Sequence, residues 1–117
     1  MVVLKQISNG VVISKIEVAE DDFTIGRNNG NSLQLADGVV SGVHAVVSLK
    51  PNKYVAEWFD ISIRDLDSTN GTYVNDIAIK EQEIRHGDVI RIGTYEFKVF
   101  DDKSTSNTET LFYVPDL

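Results

Sequence analysis

The residue types in this sequence that could do chemistry concentrate in three polar stretches. These are Gly26-Arg27-Asn28-Asn29, Ser41-Gly42-Val43-His44 and Ser68-Thr69-Asn70-Gly71-Thr72. Nucleophilic catalysis would draw on Ser41 and His44, three positions apart, yet no Gly-x-Ser-x-Gly elbow surrounds the serine. Spacing alone does not put that hydroxyl on that imidazole. A phosphate-cradling Gly-x-x-x-x-Gly-Lys loop is absent, and Gly26 and Gly30 lack the third glycine and the following helix of a dinucleotide site. Glu20-Asp21-Asp22 and the Asp65/Asp67 pair do not have the ligand rhythm of a calcium loop. There is no cysteine, which removes thiol catalysis and thiolate zinc sites, and His44 and His86 are too few for a histidine-rich centre. The sequence therefore predicts no enzyme, no metal and no cofactor; a small hydrolase using Ser41 and His44 is the weakest class considered.

Read singly, each polar residue also has an ordinary structural role. Arg27 can be a solvent-facing charge at a strand end, and Ser41 a turn residue bonding its own backbone. Asn70-Gly71 can be a hairpin turn in which both residues supply positive φ. Trp58, the only tryptophan, fits core or rim packing.

The elements that must position these residues have a period of two. Tyr95, Phe97 and Val99 alternate with Glu96 and Lys98, and Ile61 and Ile63 alternate with Ser62 and Arg64. Val2 to Ile7 and Val11 to Val18 are β-branched runs joined by Asn9-Gly10, a strong hairpin signal. Further runs lie at Phe23–Ile25, Leu33–Leu35, His44–Leu49, Tyr54–Phe59, Thr72–Val74, Ile77–Ile79 and Val89–Ile92, separated by Gly- and Asn-rich turns. About ten short strands of this kind predict an all-β, antiparallel β-sandwich, with a barrel as the competing closure.

A chain of 117 residues is expected to form one domain. Its 11 Lys+Arg against 18 Asp+Glu give a formal charge of −7, which argues against nucleic acid as a partner. No apolar run approaches the ~18 residues of a membrane span, and the N-terminus lacks a signal peptide's apolar stretch, so a cytoplasmic protein is expected. Residues 101–110 shift to Asp, Ser, Thr and Asn and read as a polar linker, followed in 111–117 by the apolar Leu111-Phe112-Tyr113-Val114. That last segment is expected to pack as an extra edge strand or to bind a partner.

In order and spacing, the three polar stretches resemble the forkhead-associated (FHA) domain, with its Gly-Arg, Ser-x-x-His and Asn-Gly-Thr signatures. Phe23-Thr24-Ile25 before Gly-Arg, Asp65-Leu66-Asp67-Ser68 before Thr-Asn-Gly and the closing Gly87-Asp88-Val89-Ile90-Arg91-Ile92-Gly93 extend the resemblance over residues 11–100. The resemblance implies an eleven-stranded β-sandwich at residues 1–100 whose loops at one end grip a phosphothreonine peptide. A phosphothreonine carries about −1.5 to −2 charges and three strong acceptor oxygens. On that reading Arg27 supplies a permanently charged donor fork, Ser41 and Thr69 supply hydroxyls, and Asn70 holds the peptide main chain. Gly26, His44 and Gly71 support the loops. Residues near Gly93-Thr94 and Asn52-Lys53 would read the peptide's third position beyond the phosphothreonine.

One position departs from the family pattern. Gly42 follows Ser41 where the family often carries Asn, Arg or Lys, leaving the pocket one donor or charge poorer. Modest, salt-sensitive affinity is the expectation. An alternative is an FHA-fold interaction module that binds independently of phosphate, through a sheet face or through Leu111–Val114. Phosphorylation of Thr105, Thr108 or Thr110 in the linker could also make the chain a ligand for itself or for a second copy.

Overall fold

Asn9 and Gly10 both take positive φ, 52° and 77°, the twist that a tight hairpin demands. They join β1 (Val2–Ser8) to β2 (Val11–Glu17). The structure, a computed structural model, describes residues 1–102. After the hairpin come β3 (Phe23–Gly26), β4 (Leu33–Gln34), β5 (Ala45–Pro51), β6 (Phe59–Asp65), β7 (Thr72–Val74), β8 (Ile77–Ile79), β9 (Glu81–Ile84), β10 (Val89–Ile92) and β11 (Tyr95–Asp101). The linker threonines Thr105, Thr108 and Thr110 and the apolar segment Leu111–Val114 lie outside the described residues.

Two sheets form from these strands, in the orders β2-β1-β11-β10-β7-β8 and β4-β3-β5-β6-β9. All pairings are antiparallel except the short β3–β4 pair, which runs parallel. Alternation along β6, β7, β10 and β11 sends one side chain in two inward. Leu4, Val74, Ile90, Ile92, Phe97 and Val99 of the larger sheet meet Phe23, Ile25, Val47, Ile61, Ile63 and Ile84 of the smaller in one core. Burying a side chain of this size contributes roughly 1.5–3 kcal/mol, so the sandwich is held by this layer. The closure is a sandwich, since among the described residues β2, β8, β4 and β9 remain edges.

Two stretches differ from the sequence expectation. Tyr54 to Phe59 is not a strand. Asn52 captures the chain there: its Oδ1 accepts from the N–H groups of Tyr54 (2.8 Å) and Val55 (2.9 Å), and its Nδ2 donates to Asp60 (3.0 Å). Residues 52–58 thus form a loop, and only Phe59 enters β6. Conversely, β9 carries the polar sequence Glu81-Gln82-Glu83-Ile84 and gives no apolar signal. It is an edge strand with one buried residue, Ile84, so water faces most of its side chains.

Register fixes which loops share an end. Ala45 pairs with Ile25 and with Asp65, so the loops after β3, before β5 and after β6 emerge together. Ile92 pairs with Thr72, which brings the Gly93-Thr94 turn to the same end. Pro51 pairs with Phe59, so Asn52-Lys53 sits at the opposite end and cannot help read a ligand bound at the first.

Candidate functional site

The first loop leaves β3 at Gly26, where two backbones nearly touch. A Cβ at Gly26 would run into Gly42 O and lie 2.8 Å from Asn31 Nδ2. That proximity lets Arg27 N–H donate to Ser41 O (2.9 Å) and Asn28 N–H to Gly42 O (3.1 Å), lacing the first loop to the second. Asn31 strengthens the lacing, its Nδ2 donating to both Asn28 O and Gly42 O at 2.8 Å. The Arg27 guanidinium donates one N–H to Val40 O (3.0 Å). A guanidinium carries five donors in a planar fork, so this bond orients the group and leaves most of the fork open.

His44 ties the second loop to the third. It is fully buried, its Nδ1 accepting from Ser41 N–H (3.1 Å) and its Nε2 lying 2.9 Å from Gly71 O. Those partners select one neutral tautomer, with Nε2–H donating to the carbonyl. Both ring nitrogens are thereby spent on backbone groups, and neither faces the Ser41 hydroxyl as a base would have to.

The third loop closes on a carboxylate. Asp65 Oδ1 accepts from Ser68 Oγ (2.6 Å) and Thr72 Oγ1 (2.7 Å), while Oδ2 accepts from Ser68 N–H (3.1 Å). Ser68 Oγ in turn accepts from Gly71 N–H (2.9 Å), where Gly71 turns the chain at φ 89°. Partial burial pushes the Asp65 carboxyl upward, but the Ser68 and Thr72 hydroxyls and the Ser68 amide hold it below the usual carboxylate range. Thr69 and Asn70 are left exposed at the loop tip.

The three loops enclose a pocket of about 250 Å³ lined by Arg27, Gly38, Val39, Val40, Ser41, Gly42, Thr69 and Asn70. This is smaller than the roughly 300–1,000 Å³ of clefts that take drug-sized ligands, and suits a small anionic group. Among the described residues, one guanidinium and no carboxylate line it, in a chain of net charge −7. Ser41 Oγ accepts from Thr69 N–H (3.0 Å), which leaves its own proton to donate elsewhere. Asn70 Nδ2 donates to Val39 O (2.9 Å), leaving its Oδ1 and second N–H for another partner. Such an array can coordinate an oxyanion from several sides at once.

The structure thus brings Arg27, Ser41, Thr69 and Asn70 around one space, with Gly26, His44 and Gly71 behind it. Asn31, Asp65 and Thr72 were not legible as supports in the sequence. Asn31 bonds backbone carbonyls of its own and the second loop, and Asp65 and Thr72 bond within the third, so only the short polar type of each residue hints at the role. Among the described residues, no group of three or more His, Asp or Glu could hold a metal ion, and no helix is long and apolar enough to cross a membrane.

Comparison with known proteins agrees with this architecture. Residues 23–93 match the family model of the FHA domain. FhaA, an FHA domain-containing protein of Mycobacterium tuberculosis, is 35% identical over 83 residues, covering 71% of this chain; the chain spans only 14% of that protein's length. A solved structure from a structural and functional analysis of phosphothreonine-dependent FHA domain interactions superposes with a TM-score of 0.72 at 30% identity, covering 86% of this chain and 95% of the other. The FhaA FHA domain in complex with the intracellular domain of Rv3910 does so with a TM-score of 0.71 at 30% identity, covering 85% and 99%. With the matched segment running from β3 through β10 and carrying all three pocket loops, this chain belongs to the FHA domain family.

Proposed function

We propose that this chain is a phosphothreonine-dependent protein-binding module that acts by recognition, without turnover. The observation that carries the reading is the convergence of Arg27, Ser41, Thr69 and Asn70 on a pocket lined, among the described residues, by one cation and no carboxylate. The open part of the Arg27 fork and the Ser41 and Thr69 hydroxyls hold the phosphate, while the free half of the Asn70 carboxamide meets the peptide backbone and sets its register. Hydrogen bonds to charged groups are worth roughly 1.5–3 kcal/mol each, so Arg27 contributes most. The threonine methyl adds about 0.8 kcal/mol by burial, only about fourfold over serine unless it also restricts the bound rotamer.

A reader of phosphorylation works where kinases and ATP act, which places this module in the cytosol, in signalling or regulated assembly. The same pocket would accept a phosphorylated Thr105, Thr108 or Thr110 from its own chain or a second copy. Kinase treatment should then lower peptide binding by the full chain but not by a chain ending at Phe100. The domain boundary at residue 100 is part of this proposal.

The test is an oriented peptide library with a fixed phosphothreonine, titrated against the chain. Saturable binding that vanishes with phosphatase, and weakens with added salt, supports the reading. Equal binding of phosphorylated and unphosphorylated peptides would favour a phosphate-independent module instead.

A further inference from the structure

Gly42 lines the pocket next to Ser41 and has no side chain to offer it. The space that a side chain at position 42 would enter is nevertheless filled. A Cβ there would lie 2.8 Å from Asn28 Nδ2 and 3.3 Å from Asn28 Cγ and Oδ1, so the whole carboxamide rests over Gly42. Asn28 follows Arg27 directly, and its backbone is fixed on both sides. Its N–H donates to Gly42 O (3.1 Å), and its carbonyl accepts from Asn31 Nδ2 (2.8 Å). The side chain itself is exposed and makes no hydrogen bond to the described residues. Asn28 thus adjoins two residues that line the pocket, Arg27 in sequence and Gly42 in space, and the polar end of its side chain is uncommitted.

We infer that Asn28 is a phosphate-contacting residue: its carboxamide reaches across Gly42 and donates to the bound phosphothreonine beside Arg27 and Ser41. This rests on the phosphothreonine reading and deepens it. Position 28 supplies the polar group that position 42 lacks, and the absence of a side chain at Gly42 is what admits it. Asn28 and Gly42 then act as a pair, and moving the carboxamide from one to the other should preserve binding.

The experiment measures affinity for one phosphothreonine peptide drawn from the library, by calorimetry, with thermal melts confirming that each variant folds. Asn28→Ala should weaken binding about tenfold, the loss of one hydrogen bond to a charged acceptor. Asn28→Asp, of the same shape, should weaken it further, because it removes the donor and sets a negative charge against the phosphate. Gly42→Asn alone should also bind poorly, since its Cβ meets the Asn28 carboxamide. The double variant Asn28→Ala/Gly42→Asn should recover to within about threefold of the original chain. The inference is overturned if Asn28→Ala binds like the original, if Asn28→Asp is no worse than Asn28→Ala, or if a folded double variant is no tighter than Asn28→Ala. Should the double variant fail to fold, the Ala and Asp variants decide. Arg27→Ala separates the two levels. Binding lost with Arg27→Ala but untouched by both Asn28 variants sinks this inference alone, whereas binding indifferent to Arg27→Ala sinks the phosphothreonine reading with it.

Discussion

The pocket loops and the 52–58 loop at the far end of the sandwich are held in opposite ways. At the pocket end, the hydrogen bonds run between loops distant in sequence: Arg27 to Val40, Asn31 to Gly42, Thr69 to Ser41, Asn70 to Val39 and His44 to Gly71. At the other end, the 52–58 loop is tied mainly to itself, through Asn52 to Tyr54, Val55 and Trp58. Tyr54 there is 91% exposed. Cross-bracing fixes the separation of side chains that come from different strands, which a polyvalent grip on one small anion requires. A self-contained loop fixes only its own shape. The contrast can be broken or sharpened by substitution.

The largest expected effect is Arg27→Ala, which removes the only charge among the described residues that line the pocket. Losing two charged hydrogen bonds should weaken phosphothreonine peptide binding about 100-fold or more, read by calorimetry, while the melting temperature barely moves. Next is His44→Ala. It leaves a buried cavity and deprives Ser41 N–H and Gly71 O of their partner, so unfolding in urea should reveal a loss of about 3 kcal/mol, with weaker peptide binding.

Acid should act on both the ligand and the brace. The second phosphate ionisation lies near pH 6, so affinity should fall as pH drops from 7 to 5 with the fold intact. Asp65 acts lower. Its folded carboxyl is held below the usual range, so its stabilisation is complete above the unfolded value of about 3.9 and is lost as pH falls through the folded value. Asp65→Asn should flatten that acid limb of the stability profile, measured by urea melts between pH 7 and pH 3. The smallest effect belongs to the far end, where Tyr54→Ala should change affinity by less than about twofold, because nothing there touches the pocket.

How much of this was legible in the sequence depended on whether the signal was local. Strands such as Tyr95–Asp101 and the Asn9-Gly10 hairpin announce themselves, because alternation and turn chemistry act over a few residues. The polar edge strand Glu81–Ile84 does not, since an edge facing water needs little apolar surface. The run from Tyr54 to Phe59 misleads for the converse reason: its residues suit a strand, but Asn52 binds the following N–H groups and turns the chain first. In the candidate site, the types and order of Arg27, Ser41, Thr69 and Asn70 are plain in the sequence. Their convergence is not, because it is set by Asp65 and Asn31 bonding to groups on distant or returning chain. Nor does a sequence reveal that the carboxamide of Asn28 fills the room above Gly42.

The most direct test is an amide and side-chain NMR titration of the chain with one peptide in its phosphothreonine and unmodified threonine forms. The account predicts saturable shifts at Arg27, Ser41, Thr69 and Asn70 with the phosphorylated form alone, and a silent 52–58 loop. Equal shifts from both forms, or shifts centred on residues 52–58, would contradict it.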